Sequence, residues 1–173
     1  MKSTLTILFF FFFYIGFPQK NSKEEFYQVN DSINLFVFIG EKILVTEFDP
    51  NLNNKTIEID SITGDTIIHT IRVMDAGFNA KYKVVKNVYN NLKTDTIDFV
   101  AYDHYGRPGF EKFKTVLLYI SKSDDGKYYF HQKYQYDPLI KTRKGIWNGR
   151  NRESISELFN SKKELFKARG IFP

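Results

Sequence analysis

From Phe78 to Asp103 the chain alternates with a period of two on both sides of an Asn-rich turn, and that pattern constrains the fold more than any other stretch. Ala80, Tyr82 and Val84 fall on one face of an extended segment, with Lys81 and Lys83 on the other. After Asn90 and Asn91, Ile97, Phe99 and Ala101 alternate with Asp98, Val100 and Tyr102. This spacing predicts two long antiparallel strands, each burying one face. Two strands alone are marginal in water, so the rest of the chain must supply further strands or a helix to cover them.

The flanking sequence predicts both. Ile33 to Ile39 is almost continuously apolar, as in a strand covered on both faces, and Ile43 to Phe48 resumes it after Gly40, which reads as a bulge or bend within one long strand. The loop from Asp49 to Asn54 leads into a predicted hairpin: Thr56 to Asp60, a turn at Thr63-Gly64-Asp65, then Thr66 to Met74, exposed on one face. Val116 to Ile120 predicts a second buried strand, and Ser123-Asp124-Asp125-Gly126 a tight turn. Tyr128 to Tyr136 predicts an aromatic returning strand. Lys144 to Gly149 reads as loop. Residues 152–168 predict one C-terminal helix with Ile155, Leu158, Phe159, Leu165 and Phe166 as its apolar stripe. Ser154 and Glu157 have capping-box spacing there, and Gly170 marks the stop. Lys162 falls near the stripe and has to carry its ammonium to water. Eighteen Phe and eleven Tyr suit half-buried pleated surfaces. The expectation is a mostly β (α+β) single domain over residues 19–173.

Residues 1–18 are different material. Lys2 precedes an apolar run from Leu5 to Phe17, which predicts a secretory signal peptide. As a helix this run reaches roughly 20 Å, short of the roughly 30 Å hydrocarbon core, so cleavage is expected over retention as an anchor. Export places the protein in the periplasm, at the cell surface or in the medium. The chain has no Cys, which excludes disulfides, thiolate metal sites, a thiol nucleophile and a lipidated cysteine. The +5 formal charge is uneven: from Lys141 onward nine Lys or Arg face three Glu. This basic end is either a solvated helix face or a contact for an envelope protein or an anionic polymer.

The segments Phe36 to Ile43, Ala80 to Tyr89 and Val116 to Ile120 together resemble the netrin-module and tissue-inhibitor-of-metalloproteinase (NTR/TIMP-like) pattern, and also uncharacterised exported bacterial proteins with the same skeleton. The resemblance implies an OB-like five-stranded β-barrel, here with an inserted β-hairpin and the C-terminal helix. The cysteines of that family are missing, including the N-terminal one that chelates a protease metal, so no inhibitory activity or functional residue is carried over.

Three patterns carry candidate chemistry. The loop Asp103-His104-Tyr105, continuing to Arg107, is the most enzyme-like group, and a small hydrolase centred on Asp103 and His104 is the alternative reading of function. Neighbours in an extended segment point to opposite sides, however, so Asp103 is poorly placed to orient His104, and a turn held by Asp103 and Gly106 explains the same residues. No serine sits in a nucleophile elbow, and His69 and His131 have no ligand-spaced companions. Asp49, Asn51, Asn53 and Asp60 partly match a calcium loop, but Asn54 replaces its turn glycine and plain Asx turns explain them equally. Tyr128, Phe130, Tyr134 and Tyr136 share one strand register. They form either a core row or a platform of the kind OB-type barrels use for oligonucleotides and oligosaccharides. The expectation is a non-catalytic binding or structural module without cofactor or metal, its candidate binding residues being His104, Tyr105, Arg107, Tyr134 and Tyr136.

Overall fold

The computed structural model describes residues 26–52, 54–70 and 72–173. Its organising element is β1 (Phe36–Phe48), in which successive side chains serve different cores. Val37 and Ile39 enter one cluster with Val88, Leu117, Tyr119, Phe159 and Phe166. Phe38 enters the other, with Phe78, Tyr82, Phe99, Phe110, Leu118 and Ile120. A strand buried on both faces has to be apolar at every position, and this is why Phe36 to Ile39 shows no alternation, whereas Asn34 just before the strand is exposed.

β1 is long enough to pair on both sides. It runs antiparallel to β4 (Ala76–Tyr89) along its whole length and to β6 (Thr115–Lys122) along its first half. The register shifts between Ile39 and Gly40, so the bend expected at Gly40 is present. A Cβ there would lie 2.9 Å from the Phe38 ring and 3.0 Å from Leu118, leaving no room for a side chain. β4 continues antiparallel to β5 (Thr96–Asp103), and β6 to β7 (Tyr129–Lys141). A parallel pairing at Val100 and Phe130 joins β5 to β7 and closes a ring of five strands, β5-β4-β1-β6-β7.

The turn after β4 is tied down by a buried side chain. Asn90 adopts φ 54°, a conformation Asn tolerates better than most residues, and its amide donates to the carbonyls of Asn30, Ile33 and Leu35. The segment entering β1 is thereby fastened to the end of β4.

Several sequence expectations change. The predicted hairpin is present as β2 (Lys55–Ile59) and β3 (Thr66–Thr70), but its second strand stops short of Met74 and every residue of both strands is exposed, on both faces. Lys144 to Gly149 is not all loop, because β8 (Trp147–Gly149) pairs with β7 from Leu139 to Lys141. The row of Tyr128, Phe130, Tyr134 and Tyr136 is not one register: opposite Tyr119, β7 bulges out between His131 and Tyr136. Tyr128 precedes the strand.

The predicted single helix is two, α1 (Ile155–Ser161) and α2 (Lys163–Ala168), broken at Lys162. The capping box of Ser154 and Glu157 is formed, and Gly170 at φ 69° ends α2 with its N–H donating to Lys167 while Ile171 donates to Phe166. Leu158, Phe159 and Phe166 are buried on the outer face of the ring, and Leu165 faces outward. Lys162 does not reach for water. Its ammonium lies 3.1 Å from Asp137, which also accepts from the Tyr119 hydroxyl at 2.7 Å, so the break in the helix sits over an internal ion pair. Burial, with the Asp137 carboxylate beside it, pushes the Tyr119 phenol well above its ordinary range.

Among the described residues no helix is long and apolar enough to cross a membrane. The segment 1–18 and Asn53 lie outside the described residues.

Candidate functional site: a tyrosine platform beside Asp75, His104 and Lys133

β5 ends at Asp103, and the chain turns sharply through residues 104–107. Asp103 Oδ1 accepts the Tyr105 N–H at 2.9 Å, and Gly106 takes φ 106°. This Asx turn is the role expected for Asp103, and it throws His104 and Tyr105 outward. The carboxylate that meets His104 comes from elsewhere: Nδ1–H donates to Asp75 Oδ1 at 3.2 Å, from the residue just before β4. Because Ala76 pairs with Asp103 across the sheet, Asp75 and His104 are brought together by strand register, 29 positions apart. The other Asp75 oxygen accepts from Lys133 at 2.5 Å.

That lysine hydrogen bond, more than any other influence, holds the Asp75 carboxyl below its usual range and raises Lys133 above its own. Asp75 is therefore an anion across the neutral range, with one oxygen on the Lys133 ammonium and the other on the His104 ring. Its contribution to stability is present above the ordinary carboxylate pKa and is lost as pH falls through its lowered folded value.

Lys133 and Tyr134 sit on the β7 bulge. Tyr134 holds φ 66°, a backbone conformation uncommon for an aromatic residue, and its ring stands outward, 44% exposed. Tyr105, 86% exposed, places its ring 6.2 Å from that of Tyr134, tilted by 34°. His104 meets Tyr105 edge-on at 5.4 Å, and the Lys133 ammonium lies 5.3 Å from the Tyr134 ring centre. An open cleft of about 490 Å³ adjoins them, lined by Val73, Asp75, Phe130, His131, Lys133 and Arg169.

The bulge also turns polar groups inward. The His131 Nε2–H donates to the Gln135 carbonyl at 2.8 Å while its ring packs against Phe110 at 4.7 Å. Burial, chiefly, lowers His131 to about 4, so it is neutral at pH 7. Gln132 donates to Ser121 and accepts from Arg169, which also donates to the Lys133 carbonyl. The bulge is thus supported from beneath by the end of α2.

Of the five residues expected from sequence, the structure brings together His104, Tyr105 and Tyr134. Arg107 lies apart: it forms a two-pronged pair with Glu111 at 2.7 Å, donates to the Val45 carbonyl and stacks over Phe78, fastening the 3₁₀ turn Gly109–Lys112 to β1. Tyr136 packs on Phe110 and Phe113 at the margin of the inner core. Asp75 and Lys133 were missed. Only the register of β4 against β5 reveals Asp75, and only the bulge turns Lys133 outward.

In the calcium-like loop the side chains serve the backbone. Asp49 accepts from the Asn51 N–H at 2.8 Å, and Asn51 bonds the main chain of Val73 in both directions. Asp60 caps the hairpin turn through the N–H groups of Ile62 and Thr63. Comparison of the chain with protein-family models, with curated proteins and with solved structures gives no match.

Proposed function

We propose that this protein is an exported binding module built on an OB-type barrel, and that the Tyr105–Tyr134 platform takes up a chain-like carbohydrate. The barrel reading is supported by the connectivity. A meander of β1, β4 and β5 is closed by β6 and β7, with β5 and β7 parallel and a long bent first strand shared between two partners. OB-type barrels bind oligosaccharides and oligonucleotides on one sheet face and its bordering loops.

The observation that carries the reading is Tyr134, held in a left-handed backbone so that its ring leaves the core and stands beside the almost fully exposed Tyr105. Two exposed phenols give flat apolar faces with polar rims, matched to the C–H faces and hydroxyls of a sugar ring. Nucleic acid fits less well because its affinity depends on cations free to neutralise phosphates. Here the ammonium beside the platform, Lys133, is already engaged by Asp75.

The hydrolase reading has one observation in its favour, the Asp75–His104 hydrogen bond, which has the geometry of an orienting carboxylate. It lacks a nucleophile: among the described residues no hydroxyl hydrogen-bonds His104.

The test is binding to arrayed glycans prepared from the native cell surface, at low and high salt. The wild type is expected to bind a subset with little dependence on salt, and Tyr105→Ala/Tyr134→Ala to lose at least tenfold in affinity with an unchanged melting temperature. Binding that survives the double substitution contradicts the assignment. A steep loss with salt redirects it to an anionic polymer.

A further inference from the structure

The hairpin β2–β3 has a face with no cover. Register places Lys55 opposite Thr70, Ile57 opposite Ile68, and Ile59 opposite Thr66 on one side. Ile57, Ile59 and Ile68 are all more than half exposed there, and Ile62 at the tip is 93% exposed. The opposite side carries Thr56, the Glu58–His69 pair at 3.1 Å, and one apolar residue, Ile67. The turn is firmly built: Asp60 and Asp65 close it, and Gly64 supplies φ 75°. A rigid two-stranded projection that is apolar on one side gains stability only by burying that side against something.

At a separate site, the outer surface of β1 and β4 forms a half-open groove of about 560 Å³ lined by Phe26, Ile39, Val85, Ile146, Trp147 and Ile155. Cations border it: Lys86 belongs to its lining, the Lys141 ammonium lies over the Trp147 ring at 5.1 Å, and the turn just ahead of Gly145 carries Arg143 and Lys144. The hairpin carries the opposite balance, Glu58, Asp60 and Asp65 against Lys55.

We propose that the occupant of this groove is the β2–β3 hairpin of a second copy of the chain. Isoleucines enter between Trp147 and Ile155, and the acidic tip meets the basic rim. The two patches are different surfaces of one molecule, so the contact is head-to-tail. A bound pair still presents one free hairpin at one end and one free groove at the other, and assembly continues until a ring closes or a filament grows.

Sedimentation velocity over a range of concentrations tests this, using the mature chain and two variants. One variant blocks the hairpin, Ile57→Lys/Ile68→Lys; the other blocks the groove, Ile146→Asp/Lys141→Glu. Both pairs lie on exposed positions, and far-ultraviolet circular dichroism checks that each variant is folded. The wild type is expected to form species larger than dimers, dissociating as salt rises. Each variant alone is expected to be monomeric, and an equimolar mixture to form dimers and nothing larger, because it holds one intact hairpin and one intact groove per pair. A wild type that stays monomeric at the highest concentration overturns the proposal and leaves both patches to other partners. Folded variants that still assemble, or a mixture that stays monomeric, overturn it equally.

Discussion

At the level of single residues, the bulge of β7 decides what this surface can do. It places His131 and Gln132 inside and Lys133 and Tyr134 outside, where strict alternation would have sent neighbours to opposite faces in turn. His131 gives a measurable consequence. Its folded pKa is lowered from 6.5 to about 4, chiefly by burial, with Arg169 opposing the charge as well. The unfolded chain therefore binds a proton that the folded one refuses, and stability falls as pH drops from about 6.5 towards 4. At roughly 1.4 kcal/mol per unit the loss is about 3 kcal/mol. Urea unfolding at pH 7 and pH 4.5 should show most of this loss in the wild type and little in His131→Gln. Parallel pH curves for the two proteins would refute the assignment.

Among the elements, what could be read from the sequence follows from how local the signal is. The capping box of Ser154 with Glu157, the turn at Gly126 and the bend at Gly40 depend on a few neighbouring residues, and each is formed. The break at Lys162 was hidden because it depends on Asp137, a residue on another element whose carboxylate draws the lysine inward. The bulge was hidden for the same reason, since it is supported by Ser121 and Arg169. The site was legible only where residues sit on one loop: His104 and Tyr105 could be found, while Asp75 and Lys133 needed the pairing of β4 with β5 and the bulge.

The two C-terminal helices act as a cover despite their shortness, because the apolar stripe survives the break. Phe159 is fully buried, stacked on Tyr89 at 5.2 Å and against Phe26 at 5.6 Å. Phe159→Ala should cost about 3–5 kcal/mol in chemical denaturation. A cost below about 1 kcal/mol would mean that the helices are an appendage.

For the whole molecule, one ring of strands separates two cores, an inner one around Phe38, Tyr82 and Phe110 and an outer one under α1 and α2. The division explains why Phe36 to Ile39 in β1 and Val116 to Ile120 in β6 are apolar at every position, and the exposed groups of the candidate site gather at the ring's mouth, where β4 begins, β5 ends and β7 bulges. We propose that Tyr105 and Tyr134 at this mouth form the binding surface. The most direct measurement is nuclear magnetic resonance of the protein with ¹³C-labelled tyrosine rings, titrated with soluble glycan fragments from the native cell surface. Saturable shifts are expected at Tyr105 and Tyr134, with the buried rings of Tyr82 and Tyr119 unmoved; shifts confined to other tyrosines, or none at saturating fragment, would rule this surface out.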